Sequence, residues 1–201
     1  MPMKLAVCGS GRGSNLVALL EALRGSKEAQ VALVLSNRPD APALDRAREW
    51  GVPAESLRNY RDGSEWLERL KRHQVDLVVL AGYLKLVPPE VIRAYRGLIL
   101  NVHPALLPAF GGPGMYGHHV HQAVLASGAA QSGATVHLVD EEYDRGPILA
   151  QGRVPVLPGD TPDSLAARVL EVEHRLLPEA VLRAARAGHP VPLADPLESP
   201  A

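Results

Sequence analysis

Val75-Asp76-Leu77-Val78-Val79-Leu80 is apolar at five of its six positions. A strand with one wet face alternates apolar and polar residues, whereas a strand covered on both faces does not. The run therefore reads as a buried strand with helices on either side of it. Its neighbours fit. Ser64 to His73 is an amphipathic helix, Pro88 to Tyr95 is a short helix opened by proline, and Gly97 to Val102 is the next strand. Toward the N-terminus, Lys4 to Gly9 is a strand closed by glycines. Ser14 to Leu23 follows, with Leu16, Leu19, Leu20 and Leu23 on one helical stripe. Gln30 to Ser36 is β-rich, Ala41 to Trp50 is helical and stops at Gly51, and Val52 to Leu57 is a short strand. Strands alternating with helices define an α/β fold, a mostly parallel sheet with helices on both faces.

Residues 103–117 form a loop rich in proline and glycine, and Val120 to Ala126 is helical. Ala134 to Val139 and Ile148 to Val156 are two late strands with no helix between them, so an antiparallel edge is expected. Thr161 can cap a final helix that has Pro162 at its first position, Pro178 as a kink and Gly188 as its stop. Residues 1–188 make one domain. The tail 189–201 carries four prolines in thirteen residues and is expected to be flexible.

The 201 residues are 46 % hydrophobic and 21 % charged, which is the composition of a soluble globular chain. A formal net charge of −1 gives no general affinity for nucleic acid or a membrane surface. No apolar run is long enough to span a bilayer, and none resembles a signal peptide. Small-molecule substrates, a monomer or homodimer and a cytoplasmic location are the expectations. The single cysteine, Cys8, permits no internal disulfide and lies within an apolar strand, where it serves as a small core residue rather than a catalytic thiol.

Gly9-Ser10-Gly11-Arg12-Gly13-Ser14-Asn15 joins the first strand to the first helix. Its glycines let the backbone approach a ligand, and the free N–H groups of the helix start suit a phosphate. Arg12 adds charge where a bare turn needs none. No Gly-Lys-Ser/Thr follows, so it is not a Walker loop. Ser14 replaces the third glycine of the dinucleotide fingerprint, and Ser36-Asn37 lacks the ribose-binding acid.

Asn101-Val102-His103-Pro104-Ala105-Leu106-Leu107-Pro108 places an amide and an imidazole on one side of a strand, at the C-terminal end where open α/β sheets bind ligands. Together they can donate hydrogen bonds to a carbonyl oxygen that becomes an oxyanion. Pro104 restricts where His103 can point. Thr135-Val136-His137 repeats the same-side pairing. The acidic turn Asp140-Glu141-Glu142-Tyr143-Asp144 follows it, and Asp144 near His103 would raise the histidine pKa. A satisfied histidine at a strand end and a solvated acidic loop are the competing readings.

In this order the Gly-Ser-Asn loop, Asn101-x-His103-Pro-x-Leu-Leu-Pro, Thr135-x-His137 and Tyr143-Asp144 resemble the formyltransferases dependent on 10-formyltetrahydrofolate. They are most similar to the members that formylate glycinamide ribonucleotide in purine synthesis. The likeness covers all but the proline-rich tail. It implies a Rossmann-like formyltransferase fold, 10-formyltetrahydrofolate as co-substrate and no metal. It implies Asn101, His103 and Asp144 as the catalytic trio, supported by Thr135 and His137. Gly13, Ser14, Asn15 and Glu173 would hold the ribonucleotide. Leu84, Lys85, Leu86, Val87 and Asn101 would hold the folate, with Asp140, Glu141, Glu142, Tyr143 and Asp144 closing over it. Without the resemblance, Glu173 reads as an exposed helix charge and Leu84, Leu86 and Val87 as core.

There are departures. Some relatives carry an arginine near position 63 that contacts the folate tail; here Gly63 stands there, with Arg58 and Arg61 nearby. The loop 111–117 looks longer than in many relatives and brings His118, His119 and His121 together, where a glycine loop on the substrate side is favoured over a metal site. Arg145 follows Asp144 where relatives often have a small residue. Four other readings stay open: a formyltetrahydrofolate hydrolase, a formyltransferase for another amine such as methionyl-tRNA, a nucleotide-binding module and a dinucleotide-dependent oxidoreductase. The added domains usual in the tRNA enzyme and the hydrolase are not expected here.

Overall fold

The computed structural model describes residues 1–193 and the backbone of 197–198. In chain order the elements are β1 (Met3–Cys8), α1 (Ser14–Ala22), β2 (Ala29–Ser36), α2 (Pro42–Glu49), β3 (Ala54–Ser56), α3 (Gly63–Arg72) and β4 (Leu77–Leu80). They continue as α4 (Pro89–Ala94), β5 (Ile99–His103), α5 (His118–Ser127), β6 (Gln131–Leu138), β7 (Ile148–Pro155), α6 (Pro162–Ala187) and β8 (Leu197–Glu198). The strands form one sheet in the order β3-β2-β1-β4-β5-β6-β7-β8. The first five in this order run parallel, as the alternation of strand and helix requires.

The order reverses at β1, whose neighbours β2 and β4 take the chain to opposite sides. This opens a crevice beyond the C-terminal ends of β1 and β4, the usual ligand position in such sheets. Two contacts tie the crevice together: Ser10 N–H donates to the Gly82 carbonyl (3.0 Å), and Leu84 N–H donates to Ser10 Oγ (3.0 Å).

Apolar residues on both faces of the central strands feed two cores. Leu5 and Val7 of β1, Val79 of β4 and Leu100 of β5 pack on the side of α1, α2 and α6, against Leu16, Leu44, Val169 and Leu176. Ala6 and Cys8, with Leu33, Val78 and Ile99, pack on the other side against Trp66, Leu70 and Val91 of α3 and α4. Cys8 is fully buried, and burial pushes its thiol pKa far above the ordinary value, so it acts as a small apolar residue.

The second half of the sheet departs from expectation in two ways. β6 and β7 are antiparallel, as expected, but β5 and β6 are antiparallel too, although α5 connects them. Loop 104–117 and α5 together return the chain to the end of the sheet where β5 leaves it. The second departure is that β7 is not an edge. Leu193 N–H donates to the Leu149 carbonyl (2.7 Å), and β8 pairs parallel with β7. The described part of the tail expected to be flexible therefore lies along β7; residues 194–196 and 199–201 lie outside the described residues. α6 begins as the sequence indicates, with Thr161 and Ser164 forming a capping box and Pro162 in the first turn, and it ends at Gly188 in a left-handed cap. Pro178 is buried within α6 and does not end it.

Candidate active site

The register of β5 on β6 builds the centre. Asn101 lies opposite His137, and His103 lies opposite Thr135. Two same-side pairs, far apart along the chain, thus form one square of side chains. His103, Thr135 and His137 are buried, and Asn101 is half-buried. Asp144 enters from the β6–β7 turn with a left-handed backbone (φ 55°), which carries its carboxylate back over the square. Asp144 Oδ2 lies 3.6 Å from His103 Nδ1, and its Oδ1 lies 3.4 Å from His137 Nε2 and 3.5 Å from Asn101 Nδ2. The Gly112 N–H donates to Oδ2 (3.0 Å), joining the glycine loop to the centre.

Hydrogen bonding decides the proton positions. His103 Nε2 donates to the Phe110 carbonyl (2.8 Å), so Nε2 carries the hydrogen in the neutral ring. His137 Nδ1 donates to the Leu138 carbonyl (2.8 Å), which leaves Nε2 to accept from Asn101 Nδ2 (3.0 Å). The other Asn101 amide hydrogen makes the long contact to Asp144. The reverse amide orientation would set its oxygen against that carboxylate.

Burial is the largest influence on His103 and lowers its pKa. It outweighs the upward pull of Asp144 and of the Phe110 carbonyl, and the charge of His137 lowers it further. This corrects the expectation that Asp144 raises the His103 pKa. Burial works on Asp144 in the opposite sense and would raise its pKa, but His137, His103 and the Gly112 N–H together hold it below the usual carboxylate range. Near neutral pH the centre is therefore an ionised carboxylate beside a neutral imidazole that carries a donor.

The exit from β5 is strapped down from β6 and β7. Thr135 Oγ1 donates to the Ala105 carbonyl (2.6 Å) and accepts from Leu107 N–H (3.1 Å). Gln151 Nε2 donates to the Leu107 carbonyl (2.8 Å) and contacts Thr135 Oγ1 (3.1 Å). The Pro-Ala-Leu-Leu-Pro segment is thus fixed by hydrogen bonds as well as by its prolines.

A cavity of about 510 Å³ runs past this centre. One end is walled by Gly11, Arg12, Asn15, His121 and Glu173, the other by Tyr83 to Val87, Val139, Asp140, Glu142 and Tyr143. Asn101, His103, His137 and Asp144 lie between. Most of the residues singled out in the sequence therefore converge here. Glu173 is 8 % exposed and accepts from Asn15 Nδ2 (2.6 Å), so it is no surface charge. Val87 is buried, but Leu84 and Leu86 are about half exposed on the cavity side and are not core.

Gly13 and Ser14 do not reach the wall. They form the start of α1, where Gly13 has φ 76° and leaves 2.9 Å between a would-be Cβ and the Ala43 Cα, so no side chain fits there. Glu141 is exposed and off the wall. At Gly63 the Glu90 carboxylate lies 2.8 Å from where a Cβ would stand. Arg61 stacks over Tyr60 (5.5 Å), as does Lys85 from the cavity side (5.7 Å). The three loop histidines diverge: His118 meets Asp163 (3.2 Å), His119 packs edge-on to Tyr116, and His121 is buried in the cavity wall.

Sequence reading missed Phe110 and Gln151. Phe110 acts through its carbonyl, which no residue type advertises. Gln151 lies opposite Thr135 on β7, a relation visible only once the register is known.

An open α/β sheet with an amide, an imidazole and a carboxylate gathered at the C-terminal end of β5 defines the class. Residues 3–181 match the formyl transferase family, and the chain belongs to that family. It is 38 % identical over 183 residues to phosphoribosylglycinamide formyltransferase of Escherichia coli strain K12, covering 88 % of this chain and 84 % of that one. It is 50 % identical over 186 residues to the chloroplastic phosphoribosylglycinamide formyltransferase of Arabidopsis thaliana, covering 89 % of this chain but 64 % of that relative's length. A crystal structure of phosphoribosylglycinamide formyltransferase from Anaplasma phagocytophilum superposes with a TM-score of 0.90 at 32 % identity, over 99 % of both chains.

Proposed function

We propose that the chain transfers the formyl group of 10-formyltetrahydrofolate to the amine of glycinamide ribonucleotide, in a reducing, cytoplasmic setting. The products are formylglycinamide ribonucleotide and tetrahydrofolate. The observation that carries this is the cavity with two unlike ends and the Asn101–His103–Asp144 centre between them. One end offers an arginine and the buried hydrogen-bonding groups of Asn15, His121 and Glu173, suited to a sugar phosphate. The other offers an apolar lip with exposed Leu84, Leu86 and Tyr143, suited to a flat heterocycle.

The amine nitrogen attacks the formyl carbon, forming a C–N bond and turning the carbonyl into an oxyanion. His103 Nε2–H is the principal donor to that oxygen, which as an anion is a stronger acceptor than the Phe110 carbonyl that now holds the hydrogen. Asn101 can add the hydrogen of its 3.5 Å contact to Asp144, the weaker of its two bonds. The intermediate collapses by breaking the bond from the formyl carbon to the folate nitrogen. The attacking amine loses one proton and the leaving nitrogen gains one. Asp144, ionised and close to both the Asn101 amide and the His103 ring, is the group that relays it. Holding two substrates in one cavity supplies the remaining advantage by proximity.

The test is spectrophotometric release of tetrahydrofolate by the full chain, with and without glycinamide ribonucleotide. Release is expected only with the ribonucleotide; release without it means hydrolysis instead. His103→Ala should lower kcat by about 10² to 10⁴ and leave ribonucleotide affinity within a few fold. A variant with near-normal kcat removes His103 from the reaction.

A further inference from the structure

The pairing of β7 with β6 carries an irregularity beside the catalytic centre. Val136 lies opposite Ala150 and His137 lies opposite Ile148, so Leu149 has no opposite number. An extra residue of this kind is a β-bulge, which bends its strand and re-aims the chain on either side. The bulge stands next to the residue that faces His137, and it follows Asp144 by five positions. It therefore helps set the direction of the turn that carries Asp144 back over the square.

β6 grips this turn from one side. Leu138 N–H donates to the Pro147 carbonyl (2.9 Å), and a Cβ on Gly146 would run into the Leu138 carbonyl. The tail grips it from the other. Leu193 N–H donates to the carbonyl of Leu149, the bulged residue itself (2.7 Å), and the Leu193 side chain packs on the core. β8 continues the contact at Gly152 and Arg153. The local sequence suits this task. Pro190 and Pro192 restrict the approach and carry no N–H, so they deliver Leu193 at a reduced entropic cost. Asp144 holds a left-handed backbone (φ 55°), a strained state that persists only where its surroundings over-determine it. A bulge pinned from both sides is such a surrounding.

We propose that Leu193 is a positioning residue for the reaction. Its N–H fixes the bulge at Leu149 and, through the connection 145–148, fixes where Asp144 meets His103, His137 and Asn101. The effect on formyl transfer rests on the proposed function; the hold on Asp144 does not.

Three variants of the full chain test this. Leu193→Pro removes the donor, Leu193→Ala keeps it with less packing, and Leu193→Met keeps both. Thermal melts establish that each folds, and formyl transfer is measured well below the melting temperature, where lost stability alone leaves kcat unmoved. Leu193→Pro should lower kcat about tenfold, because a small misplacement of a reacting group is costly, with both KM values within about threefold. Leu193→Ala should keep most of kcat and Leu193→Met all of it. The Gly112 amide, which donates to Asp144 Oδ2 (3.0 Å), reports on the carboxylate without any substrate. Its proton resonance should move upfield in Leu193→Pro and stay in place in Leu193→Ala. In the unaltered protein the Leu193 amide should exchange with solvent about 10²-fold more slowly than in an open chain. Free exchange at Leu193 overturns the proposal whether or not any variant folds. So does unchanged kcat with an unmoved Gly112 resonance in Leu193→Pro, or an equal loss in Leu193→Pro and Leu193→Ala. No formyl transfer by the unaltered protein discards the proposed function instead, and the Leu193 and Gly112 amides then decide the hold on Asp144 by themselves.

Discussion

Replacing Glu173 by glutamine should make the protein more stable at pH 8 and nearly unchanged at pH 5. Glu173 is 8 % exposed, and burial lifts its pKa to about 7 against the opposing pull of Asn15 Nδ2. In the unfolded chain it titrates near its ordinary value of 4.5. The folded state holds this proton more tightly, so Glu173 is best tolerated below about pH 4.5, and stability drains away as the pH rises through about 7. A gap of about 2.5 pKa units at about 1.36 kcal/mol each corresponds to about 3 kcal/mol lost by pH 8. Glutamine has no proton to lose, and its carbonyl still accepts from Asn15 Nδ2. Thermal melts at pH 5 and pH 8 measure the effect. At about 2–4 °C per kcal/mol for a chain of this size, Glu173→Gln should melt roughly 6–12 °C above the unaltered protein at pH 8. The two should agree within a few degrees at pH 5. The same melting difference at both pH values would show that Glu173 is not the titrating group and would refute the burial argument.

The other expectations concern the square of side chains and its supports. Asp144→Asn keeps the shape and tolerates the left-handed backbone, but removes the charge beside His103. It should reduce kcat at least tenfold with a melting temperature within a few degrees, and a variant of full kcat would remove Asp144 from proton relay. Thr135→Val leaves the Ala105 carbonyl and the Leu107 N–H without their shared hydroxyl. It should cost about 1–3 kcal/mol by urea unfolding and lower kcat by loosening His103, whereas unchanged stability would mean that this strap is not under load.

Much of the fold was legible because its signals are local. The unbroken apolar run at Val75 to Leu80 reports a doubly covered strand, and Leu77 to Leu80 are all buried. Thr161, Pro162 and Gly188 mark the ends of α6 because capping is decided within one turn. The run of β6 against β5 was not legible. The helix between them suggests a parallel crossover, and nothing in residues 104–130 states at which end of the sheet the chain returns. The docking of Leu193 and 197–198 on β7 was hidden for a related reason: proline-rich composition describes the local chain, not the open strand edge waiting for it.

The site shows the same division between residue types and their arrangement. Asn101-x-His103 and Thr135-x-His137 are visible as pairs, yet their chemistry depends on the antiparallel register that lays one over the other. The two groups that face the nitrogens of His103, the Asp144 carboxylate and the Phe110 carbonyl, come from positive-φ non-glycine residues, at 55° and 56°. Each costs on the order of 1–3 kcal/mol, and a histidine merely satisfied at a strand end would need neither. Any backbone carbonyl would have served it. Two strained residues converging on one imidazole, one supplying a charge and one a neutral acceptor, are what a ring needs if it must keep its hydrogen on Nε2 until a better acceptor arrives. The surrounding sheet, buried on both faces and strapped through Thr135 and Gln151, supplies the rigidity that holds them there.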